Sequence, residues 1–329
     1  MPANLPAPPA AFDQFHLNVG DGHALYVAQY GQPDGPAAIV LHGGPGSGTQ
    51  PSVLEWFDLS RQRVVLFDQR GAGRSTPSGG IAHNDSQALV ADIERLRTRL
   101  SITRWMVVGG SWGATLALLY AGAHPERISA LVLRGSFLAS EREMQWFFQS
   151  LKAMVPSGWA AMTAGWSTAQ KSQVLVTLSQ SLLHGSDAEA RDAARRWASY
   201  EDSVMQAMNG KPGTVSARSA PNALNKPNAP VPDASDRVLG KYRLQAHYLS
   251  QGCFTSEQAL LDIARGLTTM PVAIIHGTHD LVCPPENAAR LAAAMPGAEL
   301  HWVARGGHTP ADPGIAAALR SAVLALMNA

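Results

Sequence analysis

Residues 105–113 read Trp105-Met106-Val107-Val108-Gly109-Gly110-Ser111-Trp112-Gly113, and a small-residue, apolar stretch follows to 123, where His124-Pro125 stops it. An aliphatic run of this length is a buried strand, and the segment after it is a helix. Between them lies Gly-x-Ser-x-Gly. At a strand-to-helix junction this pattern forces the serine into strained backbone geometry and brings the residues two before and two after it together, which calls for glycine at 109 and 113. Ser111 is thereby lifted to the C-terminal edge of a sheet, over a helix N-terminus that favours developing negative charge. A structural Gly-Ser turn is the plainer alternative, and the strand and helix on either side favour a nucleophile.

The pattern extends outward on both sides. Residues 37–41 (AAIVL) end in HGGPG, 64–67 (VVLF) in DQRGAG, and 130–133 (ALVL) in RGSF. Such short, continuous apolar runs closed by glycine or polar residues mark strands covered on both faces of a parallel sheet. Segments 15–19 and 24–30, split by Gly20-Asp21-Gly22, read as an antiparallel hairpin. Leu89, Ile93, Leu96 and Leu100 define the buried face of a helix over 84–100 that Asn84 or Asp85 can cap. Strand and helix alternate, so the fold class is α/β: a mostly parallel sheet with flanking helices.

From about 139 to 266 the rhythm breaks into helix-like stretches without a clear strand. Within them, 209–236 carries Pro212, Pro221, Pro227, Pro230 and Pro232 and reads as a long surface excursion, a plain insertion rather than a working lid. The sheet resumes with 272–275 (VAII) before HGTHD and 299–303 (ELHWV) before ARGGH, and 315–327 closes the chain as a helix. The expected organisation is a core of 1–138 and 267–329 with a helical cap, 139–266, inserted between its halves.

A serine hydroxyl needs a base, and the base needs an orienting acid. In chain order Ser, acid, His, the candidates are Ser111, Asp280 and His308, the last two just beyond strand ends where open α/β sheets bind ligands. Asp280 could instead cap a helix and His308 could be a loop histidine; His276 and His279 are rival bases. His276, His279 and Asp280 could also suggest a metal, but no further ligand set accompanies them, so no metal and no cofactor are expected. The tetrahedral oxyanion needs donors: the Trp112 N–H, and the N–H groups of Gly43 and Gly44 in HGGPG. Neither glycine loop has phosphate-binding spacing. Asp68 or Arg70 is expected to brace the oxyanion loop.

Composition narrows the partners. The 329 residues are 46% hydrophobic, with 26 Lys and Arg against 25 Asp and Glu. Such balance offers no field for nucleic acid or an anionic membrane and favours a small, roughly neutral substrate. The N-terminus has no secretory pattern and no apolar run approaches a membrane span. Cys253 and Cys283 read as free thiols in a reducing compartment, although a disulfide between them stays open. A cytoplasmic location is expected, and homo-oligomer formation is left open.

Taken together, HGGPG at 42–46, DQRGAGRS at 68–75, GGSWG at 109–113, HPER at 124–127 and LVLRGSF at 131–137 resemble the proline iminopeptidase (prolyl aminopeptidase) family of α/β-hydrolases. The resemblance implies an exopeptidase that removes an N-terminal residue, preferably proline, with Ser111, Asp280 and His308 as its triad and no metal. It also implies that cap carboxylates hold the substrate's free amine. Residues 195–201 (RRWASYE) resemble the family's Trp-x-x-aromatic-Glu stretch, which makes Glu201 the amine ligand and puts Trp197 and Tyr200 in the substrate site. Residues 242–248 (YRLQAHY) resemble a segment with Glu at the place of Gln245. That departure, and the Pro-rich insertion, keep an esterase or amidase acting on small non-peptide substrates as the alternative. A non-catalytic binding protein is the remote one.

Overall fold

The computed structural model describes residues 9–208 and 234–327. Eight strands form one sheet: β1 (Asp13–Gly20), β2 (His23–Gly31), β3 (Ala37–Leu41), β4 (Arg63–Phe67), β5 (Trp105–Gly110), β6 (Ile128–Arg134), β7 (Val272–Gly277) and β8 (Ala298–Val303). Their order is β1-β2-β4-β3-β5-β6-β7-β8. β1 with β2 and β2 with β4 are antiparallel; every other pair is parallel. The expected hairpin is therefore the antiparallel edge of an otherwise parallel sheet.

The apolar runs sit where two-sided burial demands them. Ile39, Leu41, Val107 and Leu133 point into one core layer, and Ala38, Val40, Met106 and Val132 into the other. The first layer is covered by α1 (Ser86–Arg99) and α2 (Trp112–Ala123). Asp85 is the cap of α1, accepting from the Ala88 N–H at 2.8 Å. Asn84 instead bonds the Arg70 and Gly80 carbonyls.

Between β6 and β7 come α3 (Glu141–Gln145), α4 (Pro156–Met162), α5 (Thr168–Ser172), α6 (Val174–His184), α7 (Asp187–Met208) and α8 (Ala234–Ser250), followed by α9 (Glu257–Gly266). Phe147, Phe148, Leu178, Trp197, Tyr200 and Tyr242 give these cap helices a core of their own. Two boundaries differ from expectation. α9 places Leu260, Leu261 and Ala264 in the layer beneath α2, so by packing it belongs with the sheet and the cap ends before it. The stretch read as an excursion to 236 lies outside the described residues except for its last three, which open α8. α10 (Glu286–Ala294) and α11 (Pro313–Met327) complete the sheet's flanks.

Candidate active site

Ser111 is the turn between β5 and α2, with φ 57° and ψ −124°, a conformation a side-chain-bearing residue adopts only when its surroundings compel it. The compulsion is visible: a Cβ on Gly109 would lie 2.2 Å from the Gly113 carbonyl oxygen, and one on Gly113 would lie 2.0 Å from that of Leu41. Only glycine lets the three backbones close to this distance.

Asp280 and His308 meet beside this turn. His308 Nδ1 lies 2.7 Å from Asp280 Oδ2, and the other carboxylate oxygen accepts the Val282 and Cys283 N–H groups at 2.9 Å each. With Nδ1–H donated to the carboxylate, Nε2 is left as the basic nitrogen. Burial drives the Asp280 carboxyl upward, but the His308 charge and hydrogen bond, aided by His276 and the Cys283 N–H, outweigh it and hold the group below its ordinary value. The Ser111 hydroxyl is turned toward Cys283, Oγ to Sγ 4.0 Å, and forms no hydrogen bond with His308 in this rotamer.

The rival histidines are otherwise engaged. His276 is buried, accepts the Ser136 N–H at Nδ1 and reaches the Cys283 carbonyl from Nε2 at 2.9 Å. His279 is exposed and pairs with Thr278. Among the described residues no group of His, Cys, Asp or Glu side chains is arranged to hold a metal. Cys253 and Cys283 are both free and buried.

Gly43 and Gly44 lie against Ser111: a Cβ on Gly43 would come within 3.3 Å of the serine Cβ, and Gly44 lines the same cleft. No hydrogen bond among the described residues uses the N–H of Gly43, Gly44 or Trp112. The loop is braced by a residue that the motif reading passed over. Gln69 accepts from Trp112 Nε1 and donates to the His42 carbonyl, while its own N–H donates to His42 Nε2, each at 2.9 Å. This fixes His42 as the Nδ1–H tautomer, and burial lowers its pKa. Asp68 acts as expected, accepting the Thr49 N–H and hydroxyl at the far end of the loop, with Arg74 closing on it. Arg70 does not take part: it pairs with Asp92 and the His83 carbonyl instead.

Arg134 is a second residue the motifs did not single out. Its carbonyl accepts the Ser111 N–H at 2.8 Å and its buried guanidinium donates to the His308 carbonyl at 2.7 Å, so one residue at the end of β6 spans both loops. An Arg directly after the apolar run 130–133 was its only signal in the sequence.

Over the serine, the cap supplies one wall. The cleft, about 470 Å³ with its open mouth, is lined by Ser111 and Gly44 below and by Phe147, Phe148, Trp197, Glu201 and Gln245 above. Tyr200 is not part of that lining. It is buried, with its hydroxyl donated to the Phe147 carbonyl at 2.7 Å and its ring edge-on to Phe147, so it supports the wall without forming it. Glu201 Oε2 accepts from Lys241 Nζ and from the Tyr242 hydroxyl, 2.6 Å each. Burial raises the Glu201 pKa, but the Lys241 charge and these hydrogen bonds outweigh it and keep the group ionised.

Residues 36–314 match the family model of the alpha/beta hydrolase fold, and this chain is an α/β-hydrolase. Solved structures agree on the fold: an alpha/beta hydrolase enzyme from a Medee basin deep-sea metagenome library superposes with a TM-score of 0.60 at 15% identity, over 96% of this chain and 98% of that one. A proline iminopeptidase-related protein from Thermus thermophilus does so at 0.58 and 22%, with the same coverage. Sequence narrows the class. The chain is 38% identical to a proline iminopeptidase of Arabidopsis thaliana over 96% of its own length and 80% of that protein's. It is 36% identical to one from Xylella fastidiosa (strain Temecula1) over 92% of each. It belongs to the proline iminopeptidase family. Among the described residues no helix is long and apolar enough to cross a membrane.

Proposed function

We propose that this chain is a serine exopeptidase that releases an N-terminal residue, preferably proline, from small peptides through an acyl-enzyme on Ser111. The observation that carries the reading is a single cleft in which Ser111 faces an aromatic wall bearing one ionised carboxylate, Glu201. An apolar wall suits a pyrrolidine ring, and a carboxylate at its end suits the ammonium that only a free N-terminus has.

The chemistry follows from the geometry. The step requires Ser111 to rotate about its Cα–Cβ bond and turn Oγ toward His308 Nε2; hydrogen bonds of this kind are often unformed before substrate arrives. Oγ attacks the acyl carbonyl as Nε2 takes its proton, and Asp280 stabilises the resulting imidazolium. Negative charge on the carbonyl oxygen is received by the N–H of Trp112 and those of Gly43 and Gly44. His308 returns the proton to the departing amine, and water, activated by the same imidazole, releases the acid and restores Ser111. Trp197 belongs to the wall over the substrate, and Gln245 lends a neutral acceptor beside Glu201. The reading includes a cytosolic setting, which two free buried thiols support.

The test is a kinetic panel of prolyl and alanyl p-nitroanilides, their N-acetylated forms and short neutral esters, alongside labelling by a serine-directed phosphonate. Free-amine prolyl substrates should have the highest kcat/KM, and labelling should vanish in Ser111→Ala. Faster turnover of the blocked substrates would overturn the peptidase reading, and undiminished labelling of the variant would overturn the nucleophile.

A further inference from the structure

The charge in the cleft is balanced before any substrate arrives. Lys241 and Gln245 stand one helical turn apart on α8, and the Lys241 ammonium sits 2.6 Å from Glu201 Oε2, the carboxylate read above as the ligand of the substrate's amine. Lys241 is not among the residues that line the cleft. Tyr242, whose pKa is raised first by its burial and then by Glu201, remains a neutral donor to the same oxygen. Gln245 is buried and its carbonyl oxygen has no hydrogen-bond partner among the described residues, so the second acceptor at this end of the cleft is polar and uncharged.

The other carboxylates nearby do not restore the charge. Glu143 lines the cleft, but both its oxygens are occupied, by the Leu138 and Ser140 N–H groups, the Ser140 hydroxyl and Asn287. Asp202 is exposed beside Glu201, where water screens it.

We infer that Lys241 is a specificity-determining residue: by pairing with Glu201 it makes the acyl pocket electrically neutral, weakening the hold on a free N-terminal ammonium and admitting neutral acyl groups, esters and N-blocked amides among them, as a second substrate class. The inference rests on the reading of Glu201 as the amine ligand. An ammonium entering the cleft must share a carboxylate already held by a tethered one, whereas a neutral acyl group gives up nothing there.

The experiment compares the wild type with Lys241→Met, Lys241→Gln and Lys241→Arg on prolyl p-nitroanilide and on p-nitrophenyl butyrate. Removing the ammonium should lower KM for the prolyl substrate roughly two- to fivefold, with kcat and the ester's KM unchanged; this is the span expected of one partly exposed charge pair. Lys241→Arg should keep wild-type values. An unchanged or raised KM for the prolyl substrate in both neutral variants overturns the inference, since Lys241 would then only hold Glu201 in place. Inhibition of ester hydrolysis by L-prolinol, which has no carbonyl to attack, reads amine affinity without peptidase turnover. Tighter prolinol binding in the neutral variants supports the inference even if the wild type cleaves no peptide, and unchanged binding overturns it.

Discussion

The two walls of the cleft are built on different terms. Below, at the sheet edge, backbone holds nearly everything: Asp280 takes two N–H groups from its own loop, Ser111 donates to the Arg134 carbonyl, and His42, Gln69 and Trp112 interlock at 2.9 Å. Above, the cap wall is side chain on side chain. Phe148 meets Trp197 edge-on at 5.3 Å, Trp197 tilts against Tyr242, and the Trp197 indole N–H and the Gln245 side-chain carbonyl have no partner among the described residues. Acyl transfer needs donors and acceptors placed to within tenths of an ångström, which backbone and dense hydrogen bonding supply. Selectivity needs only shape and charge, and side-chain packing can change those without moving the chemistry.

That contrast can be broken by mutation. Ser111→Ala should cut kcat/KM on every substrate by about 10⁵-fold with little change in melting temperature. Residual turnover within a hundredfold of wild type would remove the lower wall from the mechanism. Asp280→Asn should lower kcat by about 10³–10⁴-fold, because the amide presents its N–H to His308 and favours the wrong tautomer; a loss confined to KM would contradict this. Gln69→Leu leaves the Trp112 indole N–H unpaired and frees the oxyanion loop. It should lower kcat about 10–100-fold and stability by about 1–3 kcal/mol in thermal melts; a variant with wild-type kcat would contradict this.

The upper wall should respond differently. Glu201→Gln should raise KM for free-amine substrates about tenfold and leave neutral esters within about twofold. An equal loss on both would show that the two walls are not separable. The smallest effect belongs to the buried histidines. His42 and His276 are pushed below the usual 6.5, first by burial, so each stays neutral in the folded chain while the unfolded chain takes up protons. Their contribution is therefore complete above about pH 6.5 and lost as pH falls, by at most about 1.4 kcal/mol per pH unit for each histidine. Melting temperature should drop between pH 7 and pH 5; a flat profile there would contradict the assignment.

Much of the lower wall was legible because its constraints are local. Strand runs closed by glycine and a serine flanked by glycines that nothing larger could replace are written in short windows, and the order of acid and histidine follows from where the strands end. Gln69 and Arg134 were not legible, since each acts on groups far away in the chain: Gln69 on His42, Arg134 on His308. For the same reason the sequence could not choose between Asp68 and Arg70 as the brace; Arg70 is held by Asp92 on α1 instead. In the upper wall, Trp197 and Tyr200 are three residues apart on α7, yet only Trp197 lines the cleft. The side of a helix is periodic in sequence, but which neighbour a given side meets is not.

From sequence alone came the α/β class and the strained nucleophile turn, because backbone sterics and burial periodicity act over a few residues at a time, and the other two residues proposed for the chemistry, because strand ends mark where ligands meet the sheet. Only the tertiary structure decided that α9 packs with the core, that Gln69 and Arg134 hold the two loops, and that Lys241 stands against Glu201. Those are meetings between segments tens to more than a hundred residues apart, governed by how α7, α8 and the sheet edge pack together, and no local pattern encodes the distance between them.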